Sequence, residues 1–309
     1  MRYIRLGVAA ALALAGCNDA TRDARLASAP EASAPIAATF DAARLDRVLA
    51  AQPDNIKARY GARHPAETLE FFGLAPGMTV VDVLPGSEGN GWYTAILAGY
   101  LGDGGRLIGV DYPLDMWPRF GGFADAEFIA AKQTWAEDWV AGAEAREAAG
   151  EFGEVDVDFD ATTFGELDAF AGQADAVLFL RALHNLSRFE ADGGYLTQAA
   201  REAYRVLKPG GVVGVVQHRA PADADDEWAL GRNGYVKQAR IVEAFEAAGF
   251  ELEAESEINA NPADQPTTDD GVWRLPPTLG SSRDDPELKA QMEAIGESDR
   301  MTLRFRKPS

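Results

Sequence analysis

Cysteine and positive charge are both scarce in this chain of 309 residues. Cys17 is the only cysteine, so the rest of the chain carries no thiol that could be misoxidised, which suits an oxidising compartment. Lysine and arginine number 29 against 49 aspartates and glutamates, which gives a formal net charge of −20. Because binding a phosphate backbone requires a positively charged surface, this excess of acidic residues argues against DNA or RNA as a substrate.

The apolar run near the N-terminus, residues 6–16, is too short to cross a bilayer as a helix. It follows Arg2 and Arg5, a pattern that is typical of an export signal, and no adjacent twin arginines are present. The run ends in Leu14-Ala15-Gly16-Cys17, which resembles the bacterial lipoprotein cleavage box. We therefore predict a lipoprotein signal peptide over residues 1–17 with lipidation at Cys17. The alternative is a chance cysteine in an ordinary signal peptide.

Residues 18–39 are rich in alanine, serine, proline and charge without a sustained periodicity, so we predict a disordered tether there. Residues 40–309 show no internal repeat and no second composition, and they are long enough for one large domain. We expect this domain to be periplasmic and anchored to a bacterial membrane. The acidic chain offers no polybasic patch, so its membrane contact is expected through the lipid alone.

The most informative segment spans residues 79–111. An apolar strand ends in Asp82, a turn with three glycines and a helix follow, and a second strand closes at Asp111. The turn glycines are Gly86, Gly89 and Gly91. This order of parts is how an open α/β sheet builds a nucleoside pocket at the carboxyl ends of its strands.

Electrostatics indicates which nucleoside this segment binds. A dinucleotide would place two phosphates over the turn, where Asp82 and Glu88 carry like charge. S-adenosylmethionine has an ammonium, a sulfonium and one carboxylate, so these acids can pair with a cation. The glycine spacing is G-x-x-G-x-G, whereas dinucleotide folds use G-x-G-x-x-G. We predict S-adenosylmethionine as the cofactor, with Asp111 accepting hydrogen bonds from the ribose hydroxyls.

Strand and helix patterns alternate after residue 79, which predicts a parallel sheet with crossover helices. Further strands are predicted over residues 155–159, 174–180 and 212–217, and helices over 92–101, 196–207 and through 241–245. Two later strands, 250–258 and 301–306, alternate strictly, with glutamates on one and Arg304 and Arg306 on the other. If these strands pair, the glutamates lie opposite the arginines. The long connection 259–300 is typical of a functional loop.

The glycine turn, Asp111 and the Tyr204–Gly211 segment (YRVLKPGG) together resemble class I S-adenosylmethionine-dependent methyltransferases. A closer resemblance is to a bacterial subgroup of predicted secreted methyltransferases. It is carried by the sequences GWYT at 91–94, LHN at 183–185, QHRAP at 217–221, INAN at 258–261, WRLPP at 273–277 and IGESDRM at 295–301. The likeness runs from about residue 56 to the end of the chain.

This resemblance implies a Rossmann-like methyltransferase fold: an α/β, doubly wound, mostly parallel seven-stranded sheet with strand 7 antiparallel between strands 5 and 6. It also implies that the 259–300 loop emerges on the cofactor side and roofs the pocket, or else is a packed lid without ligand contacts. Substrate candidates in that loop are Asn259, Asn261, Trp273 and Arg274. Asp160, after the third strand, is where such folds often bind the adenine amino group.

Two of the three histidines, His184 and His218, follow predicted strands and should reach the cleft at the sheet edge. Each is a candidate general base that takes a proton from an attacking hydroxyl, amine or thiol. The alternative is a hydrogen-bonded structural histidine. Flanking residues that could bind an anionic substrate are Arg181, Asn185 and Arg219. A metal site with His64 is disfavoured because no short ligand spacing supports it, so no metal is predicted.

We therefore expect a methyltransferase acting on a small-molecule or envelope-associated acceptor. The alternative is a catalytically degenerate lipoprotein with the same fold that acts as a ligand-binding or scaffold module. Leu84-Pro85 supports this alternative, because it places bulk where the family usually has its first glycine. Aromatic residues between the second and third strands either line an apolar substrate site or form the core of a helical insert: Trp117, Phe120, Phe123, Trp135 and Trp139.

Overall fold

A seven-stranded sheet lies at the centre of the structure, a computed structural model that describes residues 39–309. The predicted signal peptide 1–17, the lipidation site Cys17 and the predicted tether up to residue 38 lie outside the described residues. The strands are β1 Thr79–Val83, β2 Gly105–Asp111, β3 Val157–Thr163, β4 Ala174–Leu180, β5 Leu207–His218, β6 Glu251–Ser256 and β7 Arg300–Arg306.

The strand order is β3-β2-β1-β4-β5-β7-β6. The pairs among β1 to β5 are parallel, while β7 pairs antiparallel with both β5 and β6. Strand β6 therefore runs parallel to β5 at the edge of the sheet. This arrangement confirms the fold class that the resemblance implied, including the position of the antiparallel strand.

Helices cover both faces of the sheet. Within residues 39–309 they are α1 Ala42–Ala51, α2 Asp54–Lys57, α3 Tyr60–Arg63, α4 Pro65–Phe72, α5 Thr94–Leu101, α6 Ala126–Ala131, α7 Trp135–Ala148, α8 Leu183–Arg188, α9 Glu190–Gly193, α10 Tyr195–Val206, α11 Gln238–Ala247 and α12 Pro286–Ile295. Three 3₁₀ segments span Trp117–Phe123, Leu167–Phe170 and Val272–Arg274. None of these helices combines the length and the apolar character that crossing a membrane requires.

Two apolar cores, one on each face, follow from the alternation of side chains along each strand. On β1, Val81 packs with helices α8, α10 and α11, while its neighbour Val80 packs with α1, α4, α5 and α7. Both cores are built from continuous apolar strands such as β4, which is buried along nearly its whole length. Helix α5 is buried on all sides, which explains why its sequence is apolar all round.

The edge strands explain two features of the sequence. Glu253 on β6 forms ion pairs with Arg304 and Arg306 on β7, each with a nitrogen–oxygen distance of 2.8 Å, as the alternating pattern predicted. Strand β3 extends to Thr163, beyond the predicted end at residue 159. The continuation was missed because Asp160 and the threonines read as a turn, whereas an edge strand tolerates polar side chains.

The topology decides where the site lies. Strands β1, β4 and β5 are neighbours and parallel, so their carboxyl ends meet at one edge of the sheet. The segments that follow these three ends begin at Leu84, Arg181 and Arg219. The loop between β6 and β7 crosses this same edge, because Trp273 and Ser298 line a pocket together with Leu84 and Arg181.

Candidate active site at the carboxyl edge of the sheet

A pocket of about 230 Å³ opens at the carboxyl ends of β1, β4 and β5. We call it the carboxyl-edge pocket. The residues of its lining that matter for its chemistry are Leu84, Arg181, His218, Trp273, Glu297 and Ser298. Three of the six come from the loop between β6 and β7, so this loop does cover the pocket, as the resemblance implied.

The two strand-end histidines lie side by side beneath this loop. The ring centroids of His184 and His218 are 5.7 Å apart, and the His184 ring meets the edge of Trp273 at 6.1 Å. Gln217, the last buried residue of β5, fixes His184, because its side-chain oxygen accepts hydrogen bonds from the backbone N–H groups of Leu183 and His184. This contact caps the first turn of α8 and places His184 against the end of the neighbouring strand.

Both imidazoles are held neutral. Burial lowers the pKa of His184 to about 4. The pKa of His218 lies well below its ordinary value because of burial and the nearby charges of His184, Arg300, Arg181 and Arg63. The Nδ1 atom of His218 lies 2.6 Å from Oγ of Ser298, whereas Nδ1 of His184 is buried without a hydrogen-bond partner in the described part of the chain.

Four arginines gather beside the histidines, and we call them the arginine cluster: Arg59, Arg63, Arg181 and Arg300. Three of them converge on the carboxylate of Glu297. Arg59 Nε donates to it at 2.7 Å, Arg63 Nε at 3.2 Å, and Arg300 donates through Nη2. Burial would raise the pKa of Glu297, but these guanidinium groups hold it below its ordinary value.

Arg181 is the member of the cluster that faces the pocket. Its guanidinium makes no hydrogen bond and no ion pair with any residue in the range 39–309, while its backbone N–H donates to Val216 O at 2.7 Å. Burial and the charge of Arg300 lower its pKa to about 10, and burial and Arg181 lower that of Arg63 to about 9. Because these cations disfavour one another, the field in the pocket is positive.

The glycine turn after β1 packs against helix α7. A Cβ atom on Gly89 would lie 2.7 Å from the backbone of Ala143, and one on Gly91 would lie 1.9 Å from the carbonyl oxygen of Pro85. Trp135 Nε1 donates to Gly86 O at 2.9 Å, which ties the turn to the start of the helix. Close backbone packing therefore accounts for Gly89 and Gly91, whereas Gly86 has a φ angle of 95° that favours glycine.

Asp82 at the end of β1 is 2% exposed, and its Oδ2 atom is buried without a hydrogen-bond partner among residues 39–309. Burial raises its pKa to about 7, which the nearby positive charge of Arg181 partly opposes. Near neutral pH this carboxyl group therefore changes its charge. An orphaned acid at this position is suited to a ligand that brings a donor or a cation.

Asp111 at the end of β2 is also enclosed, with 1% of its surface exposed. Its Oδ1 accepts from the backbone N–H of Tyr112 at 2.8 Å, and its Oδ2 accepts from Lys132 Nζ at 2.7 Å. The lysine ammonium lies over the Trp117 ring at 4.3 Å, and the rings of Phe128 and Trp135 are also close. We call these three rings the Lys132 cage; sequence reasoning missed the lysine inside it.

The aromatic residues between β2 and β3 form mainly the core of a helical insert. Trp117, Trp135 and Trp139 are at most 5% exposed, whereas Phe123 is 69% exposed.

The role of Lys132 could have been found from the sequence, since Lys132 and Arg119 are the only cations between Trp117 and Trp135. A buried lysine in such a segment requires a carboxylate partner, and Asp111 is the acid that the motif leaves available.

Asp160 does not lie after β3 as the sequence indicated. It lies in the middle of the strand, opposite Ile108 of β2, and its carboxylate accepts from Arg106 Nε at 2.6 Å. The error has the same origin as the misplaced strand end, since three acids at alternate positions hid the register. The structure therefore separates Asp160 from the strand ends that carry Asp82 and Asp111.

Most of the predicted substrate residues hold the loop in place. Arg219 forms ion pairs with Asp299 and Glu257, and Asn185 Nδ2 lies 3.4 Å from the Tyr112 hydroxyl. The two loop asparagines and Arg274 are occupied too. Their partners are Thr68 and Thr302 for Asn259, the carbonyls of Ile295 and Glu297 for Asn261, and Asp264 and Tyr235 for Arg274. Of the predicted set, Arg181 and Trp273 line the pocket.

The donor set at these strand ends fits S-adenosylmethionine by its chemistry. Asp111 is a carboxylate at the end of β2, and the orphaned Asp82 borders the glycine turn. The fit requires one change, because Lys132 occupies an oxygen of Asp111 that a ribose hydroxyl would use. Within residues 39–309 no three side chains of His, Cys, Asp or Glu converge as metal ligands do.

Comparisons with solved structures found several distant likenesses. The chain resembles the [4+2]-cyclase SpnF, the SAM-dependent methyltransferase of Aquifex aeolicus and the arsenic(III) S-adenosylmethionine methyltransferase of Chlamydomonas reinhardtii. Their identities are 19%, 18% and 18%, and their TM-scores are 0.47, 0.43 and 0.42. Aligned regions cover 80%, 71% and 86% of this chain and 80%, 94% and 73% of the other chains. At these values the likenesses carry no argument about function.

A more specific finding comes from protein families. Residues 85–215 match the family model described as a methyltransferase domain, which is less than half of the chain. No curated protein matches the chain. The matched region begins in the turn after β1 and ends inside β5, so it contains the glycine turn, Asp111 and the arginine and histidine that follow β4. Residues 85–215 are therefore similar to a methyltransferase domain.

Proposed function

We propose that this protein transfers the methyl group of S-adenosylmethionine to a small-molecule or envelope-associated acceptor bound in the carboxyl-edge pocket. The observation that supports this most is the shared edge: the pocket lined by Arg181 and His218 adjoins Leu84, the first residue of the turn that follows Asp82. When bound, the cofactor supplies an electrophilic methyl group on a sulfonium.

The residues proposed to hold the cofactor are Asp82, the turn glycines Gly86, Gly89 and Gly91, and Asp111. Asp160 is left out of this set, because its position in the middle of β3 and its pairing with Arg106 separate it from the strand ends. Asp111 accepts from the ribose once Lys132 has moved away. Burial raises the pKa of Asp82 to about 7, and a bound cation would lower it and favour the charged form.

His184 and His218 are the proposed catalytic residues. Both are neutral at pH 7, so each has a ring nitrogen that can accept a proton from an acceptor hydroxyl, amine or thiol. The positive field that lowers their pKa values weakens them as bases in the empty pocket. A ligand that neutralises this field would raise both values toward the range in which histidine is an effective base.

The loop from β6 to β7 provides the remaining walls. Trp273 packs on His184 and lines the pocket, and Ser298 contacts His218. Asn185, Arg219, Asn259 and Asn261 are proposed as residues that hold the site in place, since their polar groups are engaged within the protein. The comparisons give no support to a catalytically degenerate scaffold, and Leu84 lines the pocket without filling it.

The test is calorimetric titration of the full chain with S-adenosylmethionine and S-adenosylhomocysteine. We expect affinities in the micromolar range that Asp111→Asn abolishes and that Asp158→Asn, an exposed acid on β3, leaves unchanged. His184→Ala and His218→Ala should keep the affinity within a few-fold while lowering the release of S-adenosylhomocysteine during turnover. Absence of binding at cofactor concentrations up to millimolar would contradict the proposal.

We further propose that the protein belongs to the secreted bacterial subgroup and is held at a membrane of the periplasm through a lipid on Cys17. The sequence of residues 1–17 supports the anchor, and the motifs between residues 91 and 301 support the subgroup. Cys17→Ser should abolish lipoprotein processing, and the protein should leave the membrane fraction. A Cys17→Ser protein that still sediments with membranes would contradict the anchor.

A further inference from the structure

We propose that the carboxyl-edge pocket binds a small organic carboxylate, whose charged group pairs with Arg181 and whose apolar body packs against Trp273 and Leu84. The methyl acceptor would then be a small carboxylic acid. This identification of the acceptor rests on the proposed function, whereas the anion site itself does not.

Charge is the first argument. Four guanidinium groups lie together, and Glu297 is the carboxylate that three of them contact directly. Asp82, the other nearby acid, is not fully ionised at neutral pH. The cluster therefore holds an excess of positive charge inside a chain whose formal net charge is −20. Such an excess in a partly enclosed space favours an anionic ligand.

The second argument is the unused guanidinium. The other three arginines of the cluster have carboxylate partners, whereas the side-chain nitrogens of Arg181 have none among residues 39–309. Arg181 itself belongs to the lining of the pocket. A guanidinium presents its donors in a planar fork that matches a carboxylate in a bidentate pair, which makes this group the natural contact for such a ligand.

Backbone geometry holds Arg181 in this position. Its φ angle is 66°, in the left-handed region that non-glycine residues seldom adopt, and its N–H is bonded to Val216 of β5. A strained conformation of this kind persists only where the surrounding structure imposes it. The hydrogen bond to β5 therefore holds the backbone of Arg181 in a conformation that differs from the extended one of a strand.

The remaining surface of the pocket limits the size and character of the ligand. Trp273, Val272, Leu84 and the Pro276-Pro277 pair supply apolar walls, and Ser298 and His218 supply polar groups. The volume of about 230 Å³ is below the roughly 300 to 1,000 Å³ of sites for drug-sized ligands. A cavity of about 150 Å³ is sufficient for benzene, so an aromatic acid of one ring is a suitable probe.

The experiment titrates the full chain with benzoate and, as an uncharged match of nearly the same shape, benzamide. We expect benzoate to bind and benzamide to bind at least about tenfold more weakly, as the loss of a charge-assisted pair implies. Arg181→Met should weaken benzoate binding at least about tenfold, and Arg181→Lys should restore part of it. The matched control is Arg201→Met, an exposed arginine on α10. Equal binding of benzoate and benzamide to the wild-type protein would overturn the anion site.

A second carboxylate source, the methionine half of the cofactor, is distinguished by comparing S-adenosylhomocysteine with 5′-methylthioadenosine, which lacks that half. If the pocket binds the acceptor, Arg181→Met should leave the affinities for S-adenosylhomocysteine and 5′-methylthioadenosine within about twofold of the wild-type values. If the variant weakens only S-adenosylhomocysteine, and benzoate competes with that ligand, the assignment to the acceptor is wrong. Benzoate binding with no cofactor binding would overturn the proposed function and leave the anion site standing. Should Arg181→Met fail to fold, the benzoate–benzamide comparison on the wild-type protein and on Trp273→Ala decides the question.

Discussion

Lys132 Nζ lies 2.7 Å from Oδ2 of Asp111, the acid that the sequence motif assigns to a ribose. Three aromatic rings surround the same ammonium, with the centroid of Trp117 at 4.3 Å. The pair is 14% and 2% exposed, so neither partner is strongly solvated. The structure thus shows this acid paired with the protein's own cation, which lies in the segment after helix α6.

Lys132→Met should raise the affinity for S-adenosylhomocysteine by about tenfold, because the nucleoside no longer has to displace a buried ion pair and its cage contacts. The same change should lower the melting temperature, since Asp111 is left buried without its partner. Calorimetric titration and thermal unfolding measure the two effects. Lys289→Met, at an exposed position on α12, is the matched control. An unchanged or lower affinity would show that Lys132 does not compete with the cofactor.

Glu297→Gln should destabilise the protein by about 3 to 5 kcal/mol, the range found when one partner of a buried ion pair is removed. Three guanidinium groups would lose the carboxylate that they share, and those of Arg63 and Arg300 would remain buried without a counter-charge. Urea denaturation at pH 7 measures the free energy of unfolding. Glu293→Gln, an exposed glutamate on α12, should change it by less than about 0.5 kcal/mol. A small loss in Glu297→Gln would mean that the arginines are held by other contacts.

Asp82→Asn should stabilise the protein at pH 8 and have little effect at pH 4. Burial raises the pKa of Asp82 from 3.8 to about 7, so the folded state keeps a proton that the unfolded chain has lost. Stability is therefore lost as the pH rises from about 4 to about 7, by an amount on the order of 4 kcal/mol. The amide removes this dependence. Urea denaturation at pH 4 and pH 8 measures the free energy of unfolding, with Asp158→Asn as the control. If Asp82→Asn stabilised the protein equally at both pH values, the raised pKa would be refuted.

His184→Gln should make the protein less sensitive to acid. Burial lowers the pKa of His184 from 6.5 to about 4, so the unfolded chain takes up a proton that the folded state refuses as the pH falls below 6.5. The wild-type protein thereby loses stability on the order of 3 kcal/mol between pH 6.5 and 4.

The measurement for this prediction is the difference in unfolding free energy between pH 7 and pH 4.5, which should be smaller in the variant. NMR titration of the histidine ring protons gives an independent check, because His184 should remain neutral through pH 5, His218 should titrate well below the ordinary pKa of histidine, and benzoate should raise both pKa values. A His184 resonance that titrates near pH 6.5 in the free protein would contradict the assigned burial.

Regular elements of the chain were predictable because their patterns are local. The strand over residues 174–180 was predicted with its correct bounds. A short continuous apolar run between turn residues predicts a buried strand where strands and helices alternate. The pairing of Glu253 with the arginines of β7 followed from alternation as well. Strand β3 was placed too short because its acids gave no local signal that distinguishes an edge strand from a turn.

The site was predictable only in part. His184, His218, Arg181 and Trp273 were selected because they follow strands or lie in the long loop. The structure brings the last three to one pocket and places His184 beside His218 and Trp273. Arg219, Asn259 and Asn261 were selected by the same reasoning, yet their polar groups are bound within the protein. Sequence spacing places a side chain near an edge and does not reveal which neighbour binds it first.

By itself, the sequence determined the order of strands and helices, the acids that end β1 and β2 and the glycines between them, because these depend on residues close together in the chain. Only the tertiary structure decided that Lys132 pairs with Asp111, that Glu297 contacts three arginines and that the Arg181 side chain has no partner among residues 39–309. Glu297 lies more than 230 residues from Arg59 and Arg63 in the chain. Such contacts depend on how distant segments pack and on which charges burial leaves without water, and no local pattern encodes that outcome.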